Sequence, residues 1–207
     1  MPSTPDTTGP DREPVPLTVW TTHHSNPAPF PGDVLRRLLD TFSRPGELVA
    51  TTSRIPTGIA EECITAGRRH RTLTDPAHTP AAALNPSQPG AVLIFDLHHG
   101  GSRINSAAIY THLAGFLRPG GILLTALPPV SPEGCDPLAD TVAAAHSSGL
   151  DYLQHLIVVR LPLPDGLLTP PTDWDPADDP TVPQPIPPLR IHSDIAVLLR
   201  PQSRSSR

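Results

Sequence analysis

The residues with the clearest chemical potential stand at the end of an apolar run, where Ala91-Val-Leu-Ile-Phe95 leads into Asp96-Leu-His-His99. A carboxylate and two imidazoles at a strand end can accept hydrogen bonds, shuttle protons or bind a metal. Asp96 and His98 form a candidate acid-base pair, whose bland counterpart is a satisfied polar pair. A metal would need His98, His99 and a further ligand such as His23 or His24. Neighbours on an extended segment point to opposite sides, and no third ligand stands at a recognisable spacing, so no metal site is expected. The chain has no Gly-x-Ser-x-Gly elbow to mark a hydrolase nucleophile. Arg68, Arg69 and Arg71 make one local basic cluster, read as solvated surface with phosphate contact as the sharper alternative.

These residues need a scaffold, and the hydrophobic pattern supplies one. Val34, Leu35, Leu38, Leu39 and Phe42 recur at helical spacing until Arg44-Pro-Gly46, after which Glu47-Leu-Val-Ala50 reads as a short buried strand. Thr57 to Gly67 suits an amphipathic helix closed by its glycine, and Arg69 to Thr74 a more polar strand. The apolar run 91–95 is the strongest strand, continuous as in a parallel strand covered on both faces. A helix over Ile104–Leu117 ends at Arg118-Pro-Gly-Gly121, before the strand Ile122–Leu127. A helix over Pro137–Ser148 follows, then strands at Tyr152–Leu161 and Ile191–Leu199. Alternating strands and helices that close on two strands without an intervening helix predict an α/β three-layer sandwich, mostly parallel and ending in an antiparallel pair. Ligands of such sheets bind beyond the carboxyl ends of the strands.

Composition sets the outer limits. A chain of 207 residues buries one core, and its 30 prolines crowd the ends and one late stretch. The expected organisation is a tail over 1–16, one domain over 17–200 containing a proline-rich acidic loop at 162–188, and a second tail over 201–207. All 15 basic residues are arginine, as codon bias in a GC-rich genome would give. The net charge of -5 argues against a strong sequence-independent grip on phosphate backbones. The two cysteines, Cys63 and Cys135, are too few for a disulfide framework and read as free thiols in a reducing cytosol. No apolar run approaches the roughly 20 residues of a membrane helix, and the start lacks a signal-peptide core, so a cytoplasmic location is expected.

Four blocks, in order, resemble a known family: Pro27-Ala-Pro-Phe-Pro31 before a helix, Arg44-Pro-Gly-Glu-Leu-Val49, Ala66-Gly-Arg-Arg69, and Phe116-Leu-Arg-Pro-Gly-Gly-Ile-Leu-Leu124. Together they are similar to the amino-directed DNA methyltransferases, which use S-adenosylmethionine to modify cytosine N4 or adenine N6. Ile191-His-Ser-Asp-Ile-Ala-Val-Leu-Leu199 resembles the final strand of bacterial members, so that the likeness runs from about Leu17 to Arg200. It implies a Rossmann-like class I methyltransferase fold.

The resemblance also assigns sites. The strand ending near Val49 should run into a glycine-rich loop that lets the backbone approach the cofactor. Here that loop reads Thr51-Thr-Ser-Arg-Ile-Pro-Thr-Gly58, with Ile55 and Thr57 at the two glycine positions and Gly58 one place late. Thr51, Thr52, Thr57 and Gly58 are the implied cofactor contacts, with Asp75 as the acidic residue for the ribose. Asp75 before Pro76 also suits a plain turn. Asp96 matches the residue that accepts from the target amino group, His98 falls in the same block, and His99 stands where the family has an aromatic that stacks on the extruded base. Both prolines of that block are absent. The implied function is a methyltransferase-like module with weak or lost catalysis. The alternative is an active enzyme acting on a DNA base amino group, a small molecule or a protein.

Overall fold

A computed structural model describes residues 16–23, 28–56, 58–73, 90–98, 103–128, 136–161 and 192–202. Eleven elements follow one another: β1 (Leu17–Thr22), α1 (Gly32–Phe42), β2 (Leu48–Thr52), α2 (Gly58–Thr65), β3 (Arg69–Leu73), β4 (Ala91–Leu97), α3 (Arg103–Phe116), β5 (Leu117–Leu127), α4 (Pro137–Ser147), β6 (Asp151–Arg160) and β7 (His192–Leu199). The strands form one seven-stranded sheet in the order β1-β6-β7-β5-β4-β2-β3. Every neighbouring pair is parallel except those made by β7, which runs antiparallel to both β5 and β6. This is the expected Rossmann-like α/β sandwich, mostly parallel and closed by an antiparallel pair.

Ala50 pairs with Ile94, and Ile94 with Leu123, so β2, β4 and β5 lie side by side with their carboxyl ends together. Alternation sends their side chains to two cores. Val49, Leu93, Phe95 and Leu124 pack with Val34, Leu35, Leu38 and Leu39 of α1 and Ile59 and Cys63 of α2. Ala50, Ile94 and Leu123 pack on the other face with Tyr110 and Leu113 of α3 and Ala144 and Ala145 of α4.

Local chemistry fixes the ends of the elements. Asp33 Oδ1 accepts from the Val34 amide at 2.9 Å and from the Thr22 hydroxyl at 2.8 Å, which pins the end of β1 to the start of α1. The α2 helix stops at Gly67, whose φ of +72° favours glycine and lets the Arg68 amide return to the Cys63 carbonyl at 2.8 Å. A Cβ at Gly90 would lie 2.7 Å from the Arg118 amide nitrogen, so a glycine there lets β4 start against the bulged start of β5.

Several sequence expectations need correction. The strand β1 was not anticipated, although Leu17-Thr-Val-Trp-Thr-Thr22 alternates and is rich in β-branched residues. β4 continues past Phe95 to Leu97. β5 begins at Leu117, directly after α3, with the Arg-Pro-Gly segment bulging between the pairs Ala91 to Leu117 and Leu93 to Ile122. The expected tails and the loop 162–188 fall outside the described residues, except for Pro16, Pro201 and Gln202. Among the described residues no helix is long and apolar enough to cross a membrane.

Candidate functional site

The loop after β2 decides what the carboxyl end of the sheet can hold. The Ile55 amide donates to the Thr52 carbonyl at 3.1 Å, a tight turn that swings the Ile55 side chain inward. Only 7% exposed, it belongs to the same core as Phe30, Ile59 and Phe95. Phe30 itself meets the Phe95 ring edge-on, with centroids 5.1 Å apart. The residue standing at the first glycine position thus fills the core beneath the loop.

The two threonines that end β2 are also engaged. Thr51 Oγ1 is 3.1 Å from His70 Nε2 on β3, and the Thr52 hydroxyl donates to Asp96 Oδ1 at 2.8 Å. Gly58 opens α2, and a Cβ there would meet nothing within 4 Å, so its backbone is not pressed against anything. Thr57, Asp75 and His99 lie outside the described residues, as does Cys135.

Asp96 is fully buried. It shares a face with Ile94 and stands opposite Thr125 of β5, so its carboxylate enters the layer between sheet and helices rather than the space beyond the strands. Tyr110 of α3 is its neighbour. Burial pushes the Tyr110 phenol up to about 12, the Asp96 charge adds to the rise, and the hydroxyls of Thr141 and Thr125 oppose it. His98 Nδ1 is 2.9 Å from Thr141 Oγ1 on α4, and its amide donates to the Ala126 carbonyl at 2.9 Å. Asp96 and His98 therefore join one polar cluster spanning β2, β4, α3 and α4, tied through different hydroxyls. Sequence reading missed the cluster because Thr52, Tyr110 and Thr141 come from three elements with no shared spacing.

Beyond the strand ends, a hollow of about 230 Å³ is lined by Pro29, Arg54, Leu97, His98, Ala126 and Leu127. It falls short of the roughly 300 Å³ at which ordinary small-molecule pockets begin. Among the described residues no group of His, Cys, Asp and Glu is placed to hold a metal. Cys63 is buried, and that burial pushes its thiol up to about 11, so it is no nucleophile near neutrality.

The basic cluster is divided by the fold. Arg68 is buried and is neither a solvated nor a phosphate-facing residue. Its guanidinium donates to the carbonyls of Ala66 at 2.7 Å, Leu39 at 3.3 Å and Ser43 at 3.2 Å, and to Asp40 Oδ1 at 2.9 Å. These bonds close the carboxyl end of α1. Arg69 and Arg71 are exposed, with Arg69 Nε donating to the Gly46 carbonyl at 3.0 Å.

Two histidines give the fold a pH dependence. Burial lowers the pKa of His70 and of His112 from the ordinary 6.5, and His112 Nε2 is sealed from water without a hydrogen-bond partner among the described residues. With a depressed folded pKa, the unfolded chain takes up protons first. The stability these neutral rings contribute is complete above pH 6.5 and is lost as pH falls through 6.5 toward their lowered values. Urea midpoints at about pH 7.5 and about pH 5.5 should fall less in His112→Leu than in the unsubstituted chain.

No family model matches this sequence, and no curated protein does. Solved structures show loose likenesses. One is a methyltransferase from Pyrococcus furiosus, 11% identical, with a TM-score of 0.43 over 82% of this chain and 83% of that one. Another is the magnesium protoporphyrin IX methyltransferase of Synechocystis PCC 6803 with bound S-adenosylmethionine, 13% identical, with a TM-score of 0.43 over 81% and 76%. TrmN from Thermus thermophilus is 12% identical, with a TM-score of 0.39 over 84% of this chain and 50% of that one. Likenesses at this level decide neither family nor activity. The class of the fold follows from the strand order and directions given above.

Proposed function

We propose that the chain is a methyltransferase-like binding or regulatory module, related to the amino-directed DNA methyltransferases, in which methyl transfer is weak or lost. The observation that carries this reading is Ile55. At the position where the resembled family needs a bare glycine against the cofactor, this chain buries a branched side chain in its core. Pro56 next to it supplies no amide donor. S-adenosylmethionine does not fit this loop in the family's manner.

Asp96 supports the same reading. A carboxylate with no exposed surface, already accepting from Thr52, cannot meet an amino group from solvent unless the layer opens. Methyl transfer demands donor and acceptor close and in line, so losing both placements costs many orders of magnitude in rate.

The second reading is an active enzyme for a DNA base amino group or a small molecule. The hollow beside His98 and Arg54 favours it, because it lies where acceptors of such sheets bind. Between the two acceptors a small molecule is better supported. The net charge is -5, Arg68 is withdrawn from the basic cluster, and Arg118 is paired with Glu47 at 2.8 Å. A protein partner and a cytoplasmic setting complete the proposal.

The test is transfer of labelled methyl groups from S-adenosylmethionine to duplex DNA and to free nucleosides. The module reading expects no incorporation above a no-protein control. Steady turnover on either substrate would establish the second reading, and filter binding across a salt series would then show whether phosphates are contacted.

A further inference from the structure

The two edges of the sheet are not alike. At one, β3 carries Arg69 and Arg71, both exposed, and like charges set against each other disfavour its pairing with a second copy. At the other, β1 reads Leu17-Thr-Val-Trp-Thr-Thr22, with no charge, no proline and no bulge in its pairing with β6. Those are the devices that keep an edge from pairing with another chain, so β1 is an unguarded edge.

The phase of its hydrogen bonds shows which groups that edge offers. The His155 amide donates to the Pro16 carbonyl at 3.2 Å and the Leu161 amide to the Thr22 carbonyl at 2.7 Å. In this parallel ladder the even-numbered residues of β1 therefore bond to β6, and Leu17, Val19 and Thr21 turn their amides and carbonyls outward. The side chains of the same three residues lie on the face away from α1, where Leu17 is 58% exposed and Val19 57%. Half-buried Ile157 and Val159 of β6 stand beside them and extend the apolar surface. It ends at β7, where His155 Nε2 and His192 Nε2 lie 3.1 and 3.2 Å from the carboxylate oxygens of Asp194. From the opposite face the strand is already fixed, because the Arg37 guanidinium stacks 4.2 Å over the Trp20 ring and the Thr22 hydroxyl donates to Asp33. A strand held in this way loses little freedom when its open side pairs.

We propose that β1 pairs antiparallel with β1 of a second copy of this chain, about a two-fold axis at Val19, joining two sheets into one. Self-complementarity argues for this partner. The outward groups at 17, 19 and 21 are symmetric about their middle member, so every outward amide meets an outward carbonyl. Leu17 of each copy then stands opposite Thr21 of the other, and the two Val19 side chains meet on the axis. The net charge of -5 opposes association, and one strand edge buries less than the about 1,200 Å² of a standard interface, so the dimer is weak and depends on concentration. Four strands separate β1 from β2 and its loop, and the pairing holds whether or not methyl transfer survives.

Sedimentation equilibrium of the full chain from about 10 μM to about 1 mM should show monomer and dimer with nothing larger, since pairing uses up the open edge while β3 stays guarded. Val19→Lys and Val19→Glu, at an exposed position, should each weaken association at least tenfold. An equimolar mixture of the two should restore it, because opposite charges then meet on the axis. Val19→Pro should weaken association as well, since it removes an outward amide and none that bonds to β6, which separates backbone pairing from apolar adhesion. Ile64→Lys, which removes a 66%-exposed apolar side chain on α2, should leave association unchanged. Thermal melting checks that each variant folds, and if Val19→Pro does not, the two charged variants and their mixture decide. A chain that stays monomeric at the highest concentration would overturn the proposal, as would growth beyond the dimer or undiminished association in folded Val19→Lys. So would a mixture no more associated than its components, or an equal loss in Ile64→Lys.

Discussion

Ile55→Ala is expected to lower the global unfolding free energy by about 2–5 kcal/mol, the range for truncating a well-buried aliphatic side chain. For an ordinary residue of a cofactor loop the cost would stay within about 0.5 kcal/mol. The difference follows from placement. Ile55 belongs to the core that includes Phe30, Ile59 and Phe95 and retains 7% of its surface, so its removal leaves a void under the loop. Urea denaturation measures the change directly, and a midpoint unchanged from the parent would show that the loop does not depend on the side chain. The substitution also probes function, since a core plug and an open cofactor loop make opposite demands on this position.

Arg68→Met should cost about 3 kcal/mol, with a fall in Tm of about 10 °C. Methionine keeps the stem that lies among buried groups but removes every donor. The carbonyls of Leu39 and Ser43 and the Ser43 hydroxyl, which receives Arg68 Nε at 3.2 Å, then lose a charged partner at the carboxyl end of α1. The Asp40 pair contributes little to that figure, because its carboxylate is 71% exposed and screened by water. Arg68→Lys should recover only a minor part, since an ammonium cannot span acceptors set around a planar fork. Calorimetric melting of the two variants provides the check, and equal melting of Arg68→Met and the parent would refute this account of the α1 terminus.

Legibility in the sequence tracked how local each signal was. The apolar run 91–95, the helical spacing from Val34 to Phe42 and the break at Arg44-Pro-Gly46 depend on neighbours within a turn or two, and all reappear in the structure. The parallel alignment of β2, β4 and β5 was legible because alternating elements leave few topologies. β1 escaped because an edge strand pairs on one side only and its outward residues, Leu17 and Val19, are exposed. Arg68 stands among charged neighbours in the sequence, and nothing in the order of residues separates a solvated arginine from one that caps a helix 28 positions away. The cluster of Thr52, Asp96, Tyr110 and Thr141 and the set of His155, Asp194 and His192 are assembled by tertiary contact alone. No spacing rule reaches across those distances.

Calorimetric titration of the intact chain with S-adenosylmethionine at millimolar concentration tests directly whether the β2 loop has become part of the core. The buried Ile55 and the engaged Thr51 and Thr52 predict no saturable heat. A saturable isotherm with micromolar affinity, lost on deepening the obstruction with Ile55→Phe in a variant that still folds, would contradict the account and place the cofactor in the loop after all.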